Sequence, residues 1–486
     1  MLFVRERVSK LSNNQKEAPE GGRENFLGTA PVGSLVAKFA VPSIIAMLVG
    51  AIYNIVDQIF IGQFVGTLGN AATNISFPLV TSCIALALLF GIGGASNFNL
   101  AMGRKQVDDA AFYIGNALTG AVVSGVLICI IVQLFMNPIL MLFGATEDVL
   151  PFTVEYVRVV SIGFPFLILT TSGGHIIRAD GSPKVAMFSN MIGAVLNVGL
   201  DALFVAVLGM GMAGAAWATI IGQIISGIIV VMYCRKYKTV HLGKEHLIPR
   251  AKYFAKIVSL GVAAFFNQVA MMITQIALNN ALKIYGGMSF YGAEITIAVA
   301  GVVMKVTQLF FSVVIGIVQG SQPIFGYNYG AKKYERVRQA YKIDLVAGFA
   351  ISALAFALFQ LIPRQLLSIF GTGTEEYFQF GENFFRIFVM GILINFVQVI
   401  SSTFFTSIGK AYKGVFLSLT RQIIYLLPLI IILPMSFGLD GLLFAGPVAD
   451  LGAFVTAIIM MNFEFKKIKV LEKERDEANS SVVIDN

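Results

Sequence analysis

Four polar residues in otherwise apolar surroundings carry the chemistry open to this chain. Asp57 in YNIVDQIF and Asp201 in LNVGLDALF each set a carboxylate inside a long hydrophobic run, and Thr219 closes the string GMAGAAWAT. Asn197 precedes Asp201 by four residues and so shares its helical face one turn away. A carboxylate in hydrocarbon costs roughly 2.5–3.5 kcal/mol on insertion scales and marks an ion or proton path by default. The set has two uses. Two carboxylates crowded into a poorly hydrated site cannot both stay ionised cheaply, so the pair can carry a proton between the two sides. Carboxylate, amide and hydroxyl oxygens equally form a hard-ligand set for a small cation. The structural alternative is that Asn197 and Asp201 only bridge helices, and that Thr219 satisfies its hydroxyl on its own backbone.

The elements that must position these groups are membrane helices. Hydrophobic residues make up 57% of the 486-residue chain and charged ones 13%, against roughly 45–50% and 25% in a soluble domain. Apolar runs from 34–63 through 440–465 are each long enough to cross hydrocarbon about 30 Å thick, and about twelve fit. The expected fold is therefore all-α and integral to the membrane. Basic residues gather after the even-numbered runs: Arg104 and Lys105, Arg178 and Lys184, Arg235 to Lys252, Lys332 to Arg338, Lys410 and Lys413. Loops after the odd-numbered runs, such as QFVGTLGN and SFGLD, carry almost none, which predicts both termini in the cytoplasm of a multi-pass plasma or inner membrane protein. Counted from their outer ends, Asp57, Asp201 and Thr219 all lie about 10 Å deep.

The sequence also repeats itself. GGASNFNLAMGRKQVDD (Gly93 to Asp109) aligns with GSQPIFGYNYGAKKYER (Gly320 to Arg336), GMAGAAWA with GLDGLLFA, and LFGATEDV with IFGTGTEE, all near one separation. Two six-helix bundles follow, 33–236 and 253–465, joined by a cytoplasmic linker at 237–252, with tails at 1–32 and 466–486 that read as disordered. Because both bundles begin on the same side, the axis relating them is a pseudo-two-fold along the membrane normal. Two like bundles about a central cleft suit alternating access, whereas a scaffold or sensor has no reason to keep carboxylates in lipid.

The second bundle lacks the acidic set. Gln275 stands opposite Asp57, Pro428 and Leu429 beside Asp201, and Gly446 opposite Thr219, so coupling is expected in the first bundle alone. Gln268, Gln275, Asn395 and Gln398 are candidates to line a cleft without titrating. Lys305, the one deep basic group, is a candidate for the same cleft or for pairing with a carboxylate. Pro42 allows a kink in the first helix that could couple to Asp57.

Other functions find little support. The net charge of +8 is spread by loop rather than gathered in a phosphate-binding patch, which argues against nucleic acid. No GxxxxGK[ST] loop offers ATP a site. The three cysteines sit in apolar runs without metal-binding spacing, and His175, His241 and His246 fall near or in loops without triad partners, so neither an enzyme nor a cofactor is expected.

The strings GIVQGSQPIFGYNYGAKKYERV, GMAGAAWAT and LNVGLDALF, with twelve helices in two bundles, resemble the multidrug and toxic compound extrusion (MATE) family of the MOP superfamily over about residues 33–465. The resemblance implies export of organic, often cationic, compounds driven by inward H+ or Na+, by a chain expected to act as a monomer among membrane lipids. It places Asp57, Asn197, Asp201 and Thr219 where the DinF-like branch carries its acidic cluster, and Pro42 on that branch's bend-prone proline. The NorM-like branch adds acids in the seventh and tenth helices; here Gln268 lies near the first and the tenth helix has none. A flippase for lipid-linked or polysaccharide precursors of the same superfamily is the alternative, and it would need a basic central cavity.

Overall fold

The computed structural model describes residues 26–369 and 373–484. Every regular element within them is helical, as lipid demands of a backbone with no water to bond. The spanning helices are α1 (Val32–Phe64), α2 (Thr67–Gly103), α3 (Val107–Leu134), α4 (Leu150–Ala179), α5 (Pro183–Val207), α6 (Gly211–Cys234), α7 (Ala251–Gly287), α8 (Ala293–Gly330) and α9 (Tyr334–Leu361). Next comes α10, bent by 50° between Glu375–Phe388 and Ile392–Ser407. The last apolar stretch, Ala411–Glu477, is broken at Gly438, where φ is 58° and ψ −140°. Only glycine adopts that conformation readily, and the break yields α11 (411–437) and α12 (439–484). The expected twelve spans in two bundles are thus present.

One apolar core is gathered mainly from α2 to α6 and another from α7 to α12, with Phe380, Phe384, Phe385 and Phe388 among its residues, while a third joins the start of α1 to α8, α9, α10 and α12. The lobes meet through α1, α2, α7 and α8, and they meet backbone to backbone. A Cβ added to Gly93 of α2 would strike the Ile257 carbonyl of α7, and one on Gly261 of α7 would strike the Leu89 carbonyl of α2. Across the molecule Gly320 of α8 abuts Phe39 and Ala40 of α1, and Gly316 abuts Ile44. At the pseudo-axis Gly103 meets the Tyr327 carbonyl while Gly330 meets that of Leu100. These pairs exchange under the sequence repeat: Gly93 maps on Gly320, Gly103 on Gly330, Leu100 on Tyr327.

All of these contacts lie in the halves of the helices that face the linker and the chain ends. Burial follows the same line. In α1 the buried residues run from Val32 to Ala46 with Ile61 alone beyond, and in α8 they are nearly continuous from Val314 to Asn328. Toward the far side the lobes part around a cavity of about 190 Å3.

The linker is bolted to the first lobe: Asn116 of α3 accepts from the Arg250 N–H at 2.7 Å and donates to the carbonyls of His246 and Ile248. His246 thereby has partners, including the Gly243 N–H, that its sequence context did not suggest. The expected disordered tail at 466–486 differs more plainly. Helix α12 runs on to Ile484, held by Arg338 to Glu472 at 2.9 Å and by Arg475 to Glu335 at 3.2 Å. The charged residues read as a solvated tail are the partners that dock it. Of the tail expected at 1–32, residues 1–25 lie outside the described residues, while Arg336 binds the carbonyls of Leu27 and Ala30.

Filling a close approach and filling open space should differ. Gly261→Ala is expected to cost about 1–3 kcal/mol through overpacking, read as a fall in the thermal midpoint of the purified protein. Gly50→Ala, whose added Cβ meets nothing within 4 Å, should instead be neutral or stabilising by up to about 1 kcal/mol.

Candidate functional site

Helices α1, α5 and α6 bring the four candidate residues together. Asp201 ends the regular part of α5, and the next residues, Ala202–Val207, form a wide π turn, a local irregularity common where function constrains a helix. Asp201 and Asn197 are buried, at 0% and 3% exposure. With its amide set so that donor meets acceptor, Asn197 donates to Asp201 Oδ2 at 3.3 Å and accepts from the Thr219 hydroxyl at 3.3 Å and the Thr219 N–H at 3.2 Å. The opposite setting would turn the amide nitrogen toward that N–H, donor against donor. Asp57 comes from α1, half-buried, with its carboxyl within hydrogen-bonding reach of the Asp201 carboxyl. One oxygen of each, Asp57 Oδ1 and Asp201 Oδ1, is buried without another partner.

Two tyrosines complete the cluster. Tyr53 lies one turn before Asp57 on the same helix, and Tyr156 of α4, buried, reaches the Thr219 hydroxyl. Their sequence signal was the four-residue spacing from Tyr53 to Asp57 and a hydroxyl in an apolar helix, too common in itself to single out either one. Chemically the cluster offers two carboxyls, an amide oxygen and three hydroxyls. That arrangement can hold a proton between the acids or enclose one small cation. Among the described residues no group of three or more His, Cys, Asp or Glu side chains could hold a metal ion.

The remaining candidates divide. Lys305 does line the inter-lobe cavity, with Gln58, Asn70, Thr73 and Asn74. Gln275 bonds Asn279 Oδ1 at 3.0 Å along its own helix, and Gln268 is half-buried on α7. Asn395 and Gln398 are not cleft residues: Asn395, 2% exposed, donates to Asp450 at 2.9 Å, and Gln398 donates to the Leu417 carbonyl. Each satisfies a buried acceptor inside the second lobe. Pro42 lies in an unbroken α1 beside the inter-lobe contacts at Ala40 and Ile44, fifteen residues or roughly 22 Å from Asp57. His175, expected near a loop, is buried in α4 within reach of Gln322 of α8.

The second lobe holds buried acids that the sequence reading passed over. Asp450 is ion-paired with Arg421, and Glu464 with both Lys410 and Lys413. Asp344, fully buried, accepts from Ser321 at 2.7 Å, and its other oxygen is unpartnered. The signal was available, a carboxylate inside an apolar run, but each lies outside the quoted repeats.

With this geometry in hand, similarity to known proteins is informative. A family model described as MatE matches residues 42–203 and 268–432. The chain belongs to the MATE family. Membership makes it a membrane transporter rather than an enzyme. It is 23% identical over 424 residues to the multidrug export protein MepA of Staphylococcus saprophyticus, covering 87% of this chain and 92% of that one. The MATE multidrug transporter DinF-BH, solved with a bound ligand, is 33% identical with a TM-score of 0.83, covering 91% and 98% of the two chains. A MATE family transporter solved in an outward-facing conformation matches with a TM-score of 0.85 at 22% identity, over 93% and 99%.

Asp450 and Asp201 should respond differently to loss of charge. Asp450→Ala leaves the half-buried Arg421 guanidinium unpaired, and is expected to destabilise the second lobe by about 3 kcal/mol, read as a lowered thermal midpoint and reduced membrane abundance. The double variant Asp450→Ala with Arg421→Leu should recover most of it.

Proposed function

We propose that this MATE transporter is a secondary active antiporter that exports organic compounds, drugs among them, in exchange for inward H+ or Na+ bound at the Asp57 and Asp201 pair. The observation that carries the reading is the contact between a buried and a half-buried carboxyl from different helices, partnered by neutral groups alone. Such a pair changes its net charge when a proton or cation enters or leaves, and the bilayer makes that change costly enough to matter. The MepA proteins, described as multidrug exporters, support the substrate class. The likeness to DinF-BH, described as a multidrug transporter, at 33% identity supports it as well.

Orientation enters through the loops. If the basic loops face the cytoplasm, the glycine-lined contacts close the cytoplasmic side and the cavity opens outward in a plasma or inner membrane. A protein of two bundles around one cleft then works as a monomer, needs no cofactor, and takes its energy from the ion gradient. A flippase for phosphate-bearing precursors is less well supported, because a single basic side chain, Lys305, lines the cavity.

The test is ethidium efflux from vesicles under an imposed pH or Na+ gradient. Wild type should export under one of the two gradients, and Asp201→Asn, present in the membrane at equal amount, should fall to the background seen without a gradient. Equal export by the variant rejects the coupling role. Export by wild type without any gradient rejects antiport.

A further inference from the structure

The inter-lobe cavity is chemically one-sided. Gln58, Asn70, Thr73 and Asn74 give it amide and hydroxyl groups, and the Lys305 ammonium gives it its one charge. No carboxylate is among the lining residues. Lys305 Nζ donates to Gln58 Oε1 at 2.9 Å, a neutral acceptor, so of the three ammonium protons two remain for a ligand. Gln58 follows Asp57 directly, and consecutive helical residues point about 100° apart. The acid therefore faces α5 inside the first lobe while the amide faces the cavity.

The closed half of the same interface repeats this polarity. Arg178 of α4 is 3% exposed, and among the described residues no carboxylate pairs with it. His175, one turn before it on α4, is buried as well and lies within reach of Gln322 of α8.

We propose that the cleft selects amphiphiles carrying a carboxylate beside an apolar body, zwitterionic or acidic compounds over simple cations, with the Lys305 ammonium as the group the carboxylate meets. Ammonium with amide N–H groups is a donor set for a carboxylate, and charge-assisted bonds of this kind are the stronger ones. A cation in the same place would meet Lys305 as a like charge. The inference rests on the export reading and narrows its substrate class.

A matched dye pair tests it. The ethyl ester of a rhodamine is a cation, and its free acid has the same xanthene body with a carboxylate. Fluorescence polarisation with the purified protein in nanodiscs should show wild type binding the acid roughly tenfold more tightly than the ester. Lys305→Gln should abolish that ratio, weakening the acid and strengthening the ester, and Lys305→Arg should restore it. A wild-type preference for the ester, or an unchanged ratio in Lys305→Gln, overturns the proposal while leaving export of drugs intact. Binding of neither dye by wild type also overturns this inference, and ethidium efflux decides the export reading separately. Should Lys305→Gln not fold, the wild-type ratio decides alone.

Discussion

Helices that carry side chains on their facing surfaces keep their axes about 8–10 Å apart. The lobes of this molecule instead meet backbone to backbone, and they can do so only because glycines stand where a Cβ would strike a carbonyl: Gly93 against Ile257, Gly261 against Leu89, Gly103 against Tyr327. In lipid no hydrophobic effect drives helices together, and small residues allow the van der Waals contact that does. A contact made by smooth backbone surfaces has few interlocked side chains to disengage. It is tight while made and can be unmade as a unit, which two rigid lobes exchanging an opening need.

The buried acids acquire meaning by comparison with one another. Glu464 sits between two lysines and Asp450 against an arginine, so their charges are fixed by partners that came into the membrane with them. Asp57 and Asp201 have each other, an asparagine, a threonine and two tyrosines. Nothing in that set compensates a negative charge permanently, which leaves room for an exchangeable one. Asp344 stands between the two cases, bonded to Ser321 alone on one oxygen.

Much of this was legible in the sequence because lipid leaves few choices. Composition dictated helices, and the register that pairs Gly103 with Gly330 is the register in which those residues touch in space. The four polar residues of the first lobe converge because depth along a membrane helix is nearly a coordinate: equal counts from the outer ends put Asp57, Asp201 and Thr219 in one slab. Direction around a helix is harder to read. Asn395 and Gln398 have the depth for a cleft but face Asp450 and Leu417. Tyr156 belongs to the site through its azimuth on α4, which no spacing in the sequence announces. The C-terminal tail reads as solvated coil in the sequence because a charged helix is indistinguishable from one until Arg338 and Glu335 stand opposite it.

A symmetric seal and an asymmetric site must be connected by some element that takes part in both, and α1 is that element. Its linker-side half packs through Ala40 and Ile44 on Gly320 and Gly316 of α8, and its far half carries Asp57 into the first lobe and Gln58 into the cavity. The helix is continuous from Val32 to Phe64 across Pro42, so a shift of Asp57 relative to Asp201 has a direct mechanical route to the lobe contact. Pro42 lies on that route within the seal, between Ala40 and Ile44, where a missing backbone bond lets the two halves bend against each other. On the proposed function, ion loading at the far half and separation at the near half are then two readings of one helix, with α8 recording the movement on the opposite lobe through its glycines.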